Sequence, residues 1–203
     1  MLAFNEMKLN DALCKMPSQL QAAFALSCAQ RLSEVVKNCR NRTTVLNIPL
    51  DRFDAVLEAL WEGATNGSSI GSAIKHSIEL LSAEPVSEDA LEEAGCPYIE
   101  DAISALIYSF NALNGAGERY ACWAAMQAYA AIDDFVARTY FSADIVVDSD
   151  ALLRHELTQR ELSRQLRDLG LLQKVAQRRD EWAASCAQLR VLSSSEAGTL
   201  FSL

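Results

Sequence analysis

The chain has 203 residues, a net charge of −9 and an apolar half, which is ample for one core in a single domain. No stretch approaches the ~18 uncharged apolar residues of a membrane span. The opening MLAFNEMKLNDAL has no basic region followed by an apolar run, so it is no signal peptide. The expectation is a soluble, cytoplasmic protein with no membrane partner. The six cysteines are widely spaced, with no CxxC pair, and the two histidines, His76 and His155, are far apart. That pattern reads as reduced, small core residues, four of them at helical apolar positions, and not as a zinc site. Neither metal nor cofactor is expected.

Strand signals are nearly absent; the best run is Ala143–Asp148, and it is isolated. Helical periodicity covers the rest. A short first helix is expected around Asn5–Lys15, and Pro17 opens a long second helix to about Cys39. Pro49 opens a third, with Phe53, Val56, Leu57, Leu60 and Trp61 on its apolar face and Gly63 as its stop. Ile70, Ile74, Ile78 and Leu81 mark a fourth, ended before Pro85. Ser87 caps a short acidic helix to Glu93, whose Glu88 and Asp89 suit the positive end of the helix dipole. Pro97 opens a helix lined by Ile99, Ile103, Leu106, Phe110 and Leu113, broken at Asn114-Gly115. Residues 117–141 are alanine-rich, which allows close backbone approach and places this helix at the centre of the bundle. Asp150–Leu192 reads as one long helix kinked at Gly170. The fold class is therefore all-α, a bundle of seven or eight helices. The domain spans residues 1–192, and 193–203 form a loose Ser-rich tail from which Leu200, Phe201 and Leu203 dock back.

Charge is distributed unevenly. Between Lys75 and Arg119 there is no Lys or Arg, yet the stretch holds nine acids. Residues 151–190 hold eight bases against five acids, so the rest of the chain carries −12. The acid-only stretch defines a candidate partner surface: Glu84, Glu88, Asp89, Glu92, Glu93, Glu100 and Asp101. Uncompensated acids repel one another, whereas complementary charge speeds encounter with a basic partner and sets its register. The bland alternative is a solvated acidic face.

Asp133-Asp134 is the second candidate, a carboxylate pocket. A prenyl-diphosphate enzyme would place another Asp one turn on to share Mg²⁺, but Ala137 stands there and no second Asp-rich motif faces it. The plainer reading makes Asp133 the inner residue, accepting a hydrogen bond or an arginine. It shares a face with Cys122, Met126, Tyr129, Val136 and Tyr140. His155-Glu156 lacks the second histidine of a zinc-protease helix, with Gln159 and Arg160 in its place. His76 and Glu79 read as a surface pair. No G-x-S-x-G turn and no phosphate loop occurs, so no catalytic residue is assigned. The bases Arg154, Arg160, Arg164, Arg167, Lys174, Arg178 and Arg179 follow a late helix, a weak nucleic-acid signal. The interleaved Glu156, Glu161, Asp168, Asp180 and Glu181 favour internal pairing instead, or docking of this helix against the acidic ones.

Four segments in order carry a family resemblance: Phe24-Ala-Leu-Ser-Cys-Ala-Gln-Arg-Leu32, Leu57-Glu-Ala-Leu-Trp-Glu62, Glu100-Asp-Ala-Ile-Ser-Ala-Leu106 and His155-Glu-Leu-Thr-Gln-Arg-Glu-Leu-Ser-Arg-Gln165. Together, over about residues 4–180, the chain resembles the YjaG-like bacterial domain of unknown function. The resemblance implies an all-helical bacterial protein without established activity, loosely connected with signalling. Where the family pattern has Pro after the histidine, this chain has Glu156, so its helix is expected to begin earlier. The resulting expectation is a non-enzymatic interaction module, immunity-type (toxin-neutralising) or a signalling accessory, holding a basic protein partner. A carboxylate-site enzyme or small-ligand binder, and nucleic-acid binding through the late basic helix, are the alternatives. The oligomeric state stays open, a homodimer among the options.

Overall fold

The computed structural model describes residues 1–40, 48–83, 87–141 and 149–201. Within them the chain is helical throughout, with ten α-helices and no strand. The Ala143–Asp148 run lies outside the described residues, as does Leu203. In chain order the helices are α1 (Glu6–Leu13), α2 (Ser18–Cys39), α3 (Phe53–Asn66), α4 (Ser72–Leu81), α5 (Glu88–Glu93), α6 (Ile99–Leu113), α7 (Glu118–Tyr140), α8 (Ser149–Arg154), α9 (Glu156–Val175) and α10 (Trp182–Ala197). No helix among the described residues is long and apolar enough to cross a membrane.

The starts follow local capping chemistry. Asn5 accepts from the Lys8 amide at 2.9 Å and Ser87 from the Ala90 amide at 3.3 Å, each satisfying an amide that has no intrahelical partner. The stops were less legible. Helix α3 runs through Gly63, where a Cβ would lie 2.8 Å from Leu113 Cδ2; the glycine admits α6 rather than ending the helix. The stop is Gly67, whose φ of +70° is left-handed. The expected long helix from Asp150 to Leu192 is three helices. Its first break is at His155, whose Nδ1 accepts from the Leu157 amide at 3.3 Å and caps α9; helix does precede the histidine, as α8. Gly170 lies inside α9. The second break is at residues 176–178, where Trp182 Nε1 donates to the Val175 carbonyl at 2.9 Å and the Arg178 guanidinium donates to the Lys174 carbonyl. These two side chains satisfy the last carbonyls of α9 where no glycine or proline marks a stop. Residues 193–197, expected to be tail, are the last turn of α10, and Leu200 and Phe201 do dock back.

The centre of the bundle is α2, not the alanine-rich α7. Helix α2 packs against α3, α6, α7, α9 and α10, and its buried residues span its whole circumference from Leu20 to Cys39. Ala22, Ala23, Ala25, Ser27, Cys28, Ala29 and Ser33 keep it thin enough for neighbours on every side. Close approach through small residues is also how α7 packs, but only through Ala121, Ala124, Ala125, Ala128 and Ala131; its other face is half-exposed. The buried apolar residues form one cluster from Leu13 to Leu200. Five of the six cysteines are buried, Cys14 being exposed.

A cluster of charged residues lies inside this core. Arg31 on α2 has 0 % exposure. Its guanidinium meets Asp168 at 2.7 Å and Glu161 at 3.0 Å, both from α9 and both fully buried, with Glu196 of α10 at 3.8 Å. Ser27 Oγ donates to Asp168 at 2.9 Å, and Gln165 Nε2 donates to Glu161 at 2.9 Å. Arg167 closes the set by pairing with Asp168 at 2.5 Å and with Glu196. Burial acts to lower the Arg31 pKa, but Glu161 and Asp168 outweigh it and keep the charge in place. The adjacent Cys28 thiol is pushed up to about 12 by burial, so it stays protonated and inert.

Removing one member of such a set leaves uncompensated charge in the core. Replacing Arg31 by Met is expected to cost about 3–5 kcal/mol in urea unfolding, and replacing Arg31, Glu161 and Asp168 together by apolar residues is expected to cost much less.

Candidate acidic binding site

Helix α5 is short and is held to the bundle by Leu91, with Cys96 beneath the turn that follows it. That turn uses the left-handed Gly95 (φ +66°), and the Cys96 amide donates back to the Leu91 carbonyl at 2.8 Å. The chain therefore reverses tightly between α5 and α6, bringing the acids of one against those of the other. The second half of α7 forms the facing wall. Between them lies a cleft of about 230 Å³, lined by Glu88, Glu92, Glu100, Asp101 and Asp134 with Leu91, Pro97 and Ala130.

A single cation, Arg138, lines this cleft. It pairs with Glu92 across the cleft and with Asp134 at 2.5 Å along α7. Glu88, Asp89, Glu93, Glu100 and Asp101 make no ion pair with any described residue. Asp101 is the most enclosed of the group, and its pKa is raised to about 7, first by burial and then by the neighbouring Asp134 and Glu100. Beside the cleft, Tyr98 stacks on Phe201 at 5.3 Å, and Phe135 lies 4.9 Å from Phe201, though none of the three lines the cleft itself. The Tyr98 hydroxyl is pushed up to about 12, by burial and then by Asp134. This aromatic group includes a residue expected to belong to a tail.

Of the residues singled out from the sequence, Glu88, Glu92, Glu100, Asp101 and Asp134 converge on the cleft. Asp89 and Glu93 are exposed on α5 beside it. Glu84 lies outside the described residues. Asp133 does not join the cleft and does not take the arginine; that role falls to Asp134. Asp133 is half-buried near Tyr129, and its pKa is raised by burial, with the Tyr129 hydroxyl acting the other way. Its Oδ1 has no hydrogen-bond partner among the described residues. The Asp133-Asp134 pair is thus split between two environments. Among the described residues no group of three or more His, Cys, Asp or Glu is placed to share a metal ion.

Arg138, Tyr98 and Phe135 escaped the sequence reading, and Phe201 was expected only to dock back from the tail. The i,i+4 spacing of Asp134 and Arg138 is a legible signal. The Glu92–Arg138 pair, 46 positions apart, is not.

The late basic helix is paired locally. Arg154 meets Asp150, Arg160 meets Glu156, Arg164 and Arg167 meet Glu196, and Arg178 meets Glu181. Among the described residues no ion pair joins these bases to the acids of the middle of the chain.

No family model, curated protein or solved structure matches this chain.

Asp101 links the cleft to stability. Its ordinary pKa is 3.8 and its folded value about 7, so the folded state binds the extra proton between them. Its contribution to folding is full below the lower value and is lost as pH rises through the upper one. Asp101→Asn, which mimics the neutral acid, is expected to melt like wild type near pH 4 and to be more stable by about 2 kcal/mol at pH 8. Thermal melts of both proteins across that range check this.

Proposed function

We propose that the chain is a non-catalytic binding module that captures a basic protein partner on the cleft between α5, α6 and α7. The observation that carries this reading is the convergence of five carboxylates on one cleft with only Arg138 to balance them. Such a field costs the free protein stability through self-repulsion and serves a partner that brings the missing cations. Arg138 shows the docking geometry on a small scale, since one guanidinium bridges carboxylates from two helices. A partner arginine entering beside Glu88, Glu100 and Asp101 meets acids that have no competing ion pair. An immunity-type protein that neutralises a basic toxin and a signalling accessory protein both fit. The YjaG-like resemblance is consistent with either and assigns no activity.

The rival readings draw less support. A carboxylate-site enzyme would draw on Glu100, Asp101, Asp133 and Asp134; three of these line the cleft, but Asp133 stands apart, and among the described residues no group of three or more His, Cys, Asp or Glu is placed to hold a metal ion. Nucleic-acid binding needs free cations on and after α9, and there Arg160, Arg164 and Arg167 are engaged by Glu156, Asp168 and Glu196 and Arg178 by Glu181, which leaves Lys174 and Arg179 without an ion pair among the described residues.

The test is affinity capture with wild type and with Glu88, Asp89, Glu92 and Glu93 all changed to Lys, a set of exposed positions. Surface charges of this kind contribute little to stability, so the variant folds, which circular dichroism confirms. The partner is expected to carry a basic surface, to be lost with the variant, and to associate more slowly as salt rises. Because Asp101 gains its charge near pH 7, binding is expected to be several-fold tighter at pH 8 than at pH 6. Equal capture by both proteins refutes the reading.

A further inference from the structure

A second hollow lies on the other side of the bundle and has a different chemistry. Segment Leu2–Asn5 crosses α9, fastened by Gln159, whose Oε1 accepts from the Leu2 amide at 2.7 Å and whose Nε2 donates to the Leu2 carbonyl at 2.8 Å. Phe4 stacks on Tyr129 at 5.4 Å and fixes the other end of this strap. Under the strap, between α1 and α9, is a pocket of about 260 Å³. Its walls are Leu2, Phe4, Leu9, Leu162, Leu166 and Leu169. The three leucines of α9 recur at helical spacing and form a continuous apolar wall, and Leu166 is 52 % exposed.

Two polar groups on the lining are unspent. Lys8 is exposed and has no carboxylate within ion-pair distance among the described residues. Gln165 is 4 % exposed, and its Nε2 donates to the Ala125 carbonyl at 3.0 Å and to Glu161 at 2.9 Å. Both partners are acceptors, so the amide orientation is settled and the carbonyl oxygen is left over. That oxygen accepts no hydrogen bond from a described residue. An apolar hollow with a few placed polar groups is the usual form of a small-molecule site.

We propose that this pocket binds a medium-chain acyl anion that also carries a hydroxyl. The chain lies along the α9 leucines beneath the strap, the anionic head pairs with Lys8, and the hydroxyl donates to Gln165 Oε1. At the packing density of a protein interior the volume holds a chain of about ten carbons. This site is separate from the acidic cleft and does not depend on the reading of that cleft, since none of its residues lines the cleft.

The probe is 3-hydroxydecanoate, titrated into the whole chain by calorimetry below its micelle concentration. One saturable site per chain is expected. Lys8→Glu is expected to weaken binding on the order of tenfold, as is replacing the probe by the uncharged 1,3-decanediol, and the two changes combined are expected to cost no more than either alone. Leu166→Glu, at an exposed position that tolerates charge, is expected to abolish binding while leaving the melting curve unchanged. Charge reversal of Glu88 and Glu92 is expected to leave the titration unaltered. No saturable binding by wild type, or equal affinity for the diol and the anion, overturns the proposal.

Discussion

The arrangement of the bundle depends on the burial of Arg31. A guanidinium at the centre of an apolar core is costly unless its charge and its donors are met there. Asp168 and Glu161 meet the charge and the two terminal nitrogens from α9, Glu196 approaches from α10, and Ser27 and Gln165 hold the carboxylates in place, while Arg31 Nε has no hydrogen-bond partner among the described residues. Apolar packing between helices tolerates small slides and rotations; a buried ion pair does not. The network sets the register of α9 and α10 on α2, and everything carried by those helices inherits that register. The strap fastened to Gln159 and the leucine wall of α9 are among its consequences.

The same network explains the electrical division of the surface. Much of the positive charge late in the chain is spent internally, on Asp168 and Glu196 at the edge of the core and on neighbours one turn away. The middle of the chain, with no Lys or Arg between Lys75 and Arg119, receives none of it. Its single compensating cation, Arg138, comes from α7 and spans two of the acids. A cleft assembled from α5, α6 and α7 is left negative, and the pKa of the enclosed Asp101 is raised to about 7, first by burial and then by the charges of Asp134 and Glu100. The two candidate sites therefore differ in chemistry and share no lining residue: one is an acid cleft short of cations, the other an apolar pocket with one spare ammonium.

Assignment from periodicity alone goes wrong in places. The turn at 193–197 is helical and Phe201 stacks on Tyr98, although Ser-rich composition suggests a loose end. Ser193 is instead buried and donates to the Leu189 carbonyl at 3.0 Å, the back-bonding that lets serine sit within a helix. Likewise the alanines of α7 are real packing residues, but α2 wins the central place because its small residues encircle it and those of α7 occupy one face.

What the amino-acid order determined by itself is local: the all-helical class, the cap at Ser87, the apolar stripes, and the uneven placement of charge. These follow from interactions within a turn or two, and residues three or four apart reveal them. Where helices end under side-chain capping, as at Trp182 on Val175, was already partly hidden. The central helix, the partner of Arg31, the meeting of Glu92 with Arg138, and the parting of Asp133 from Asp134 were decided only in three dimensions. Each depends on which face of one helix meets a distant one, and that choice is made by summed packing and by the pairing of buried charge across more than a hundred residues.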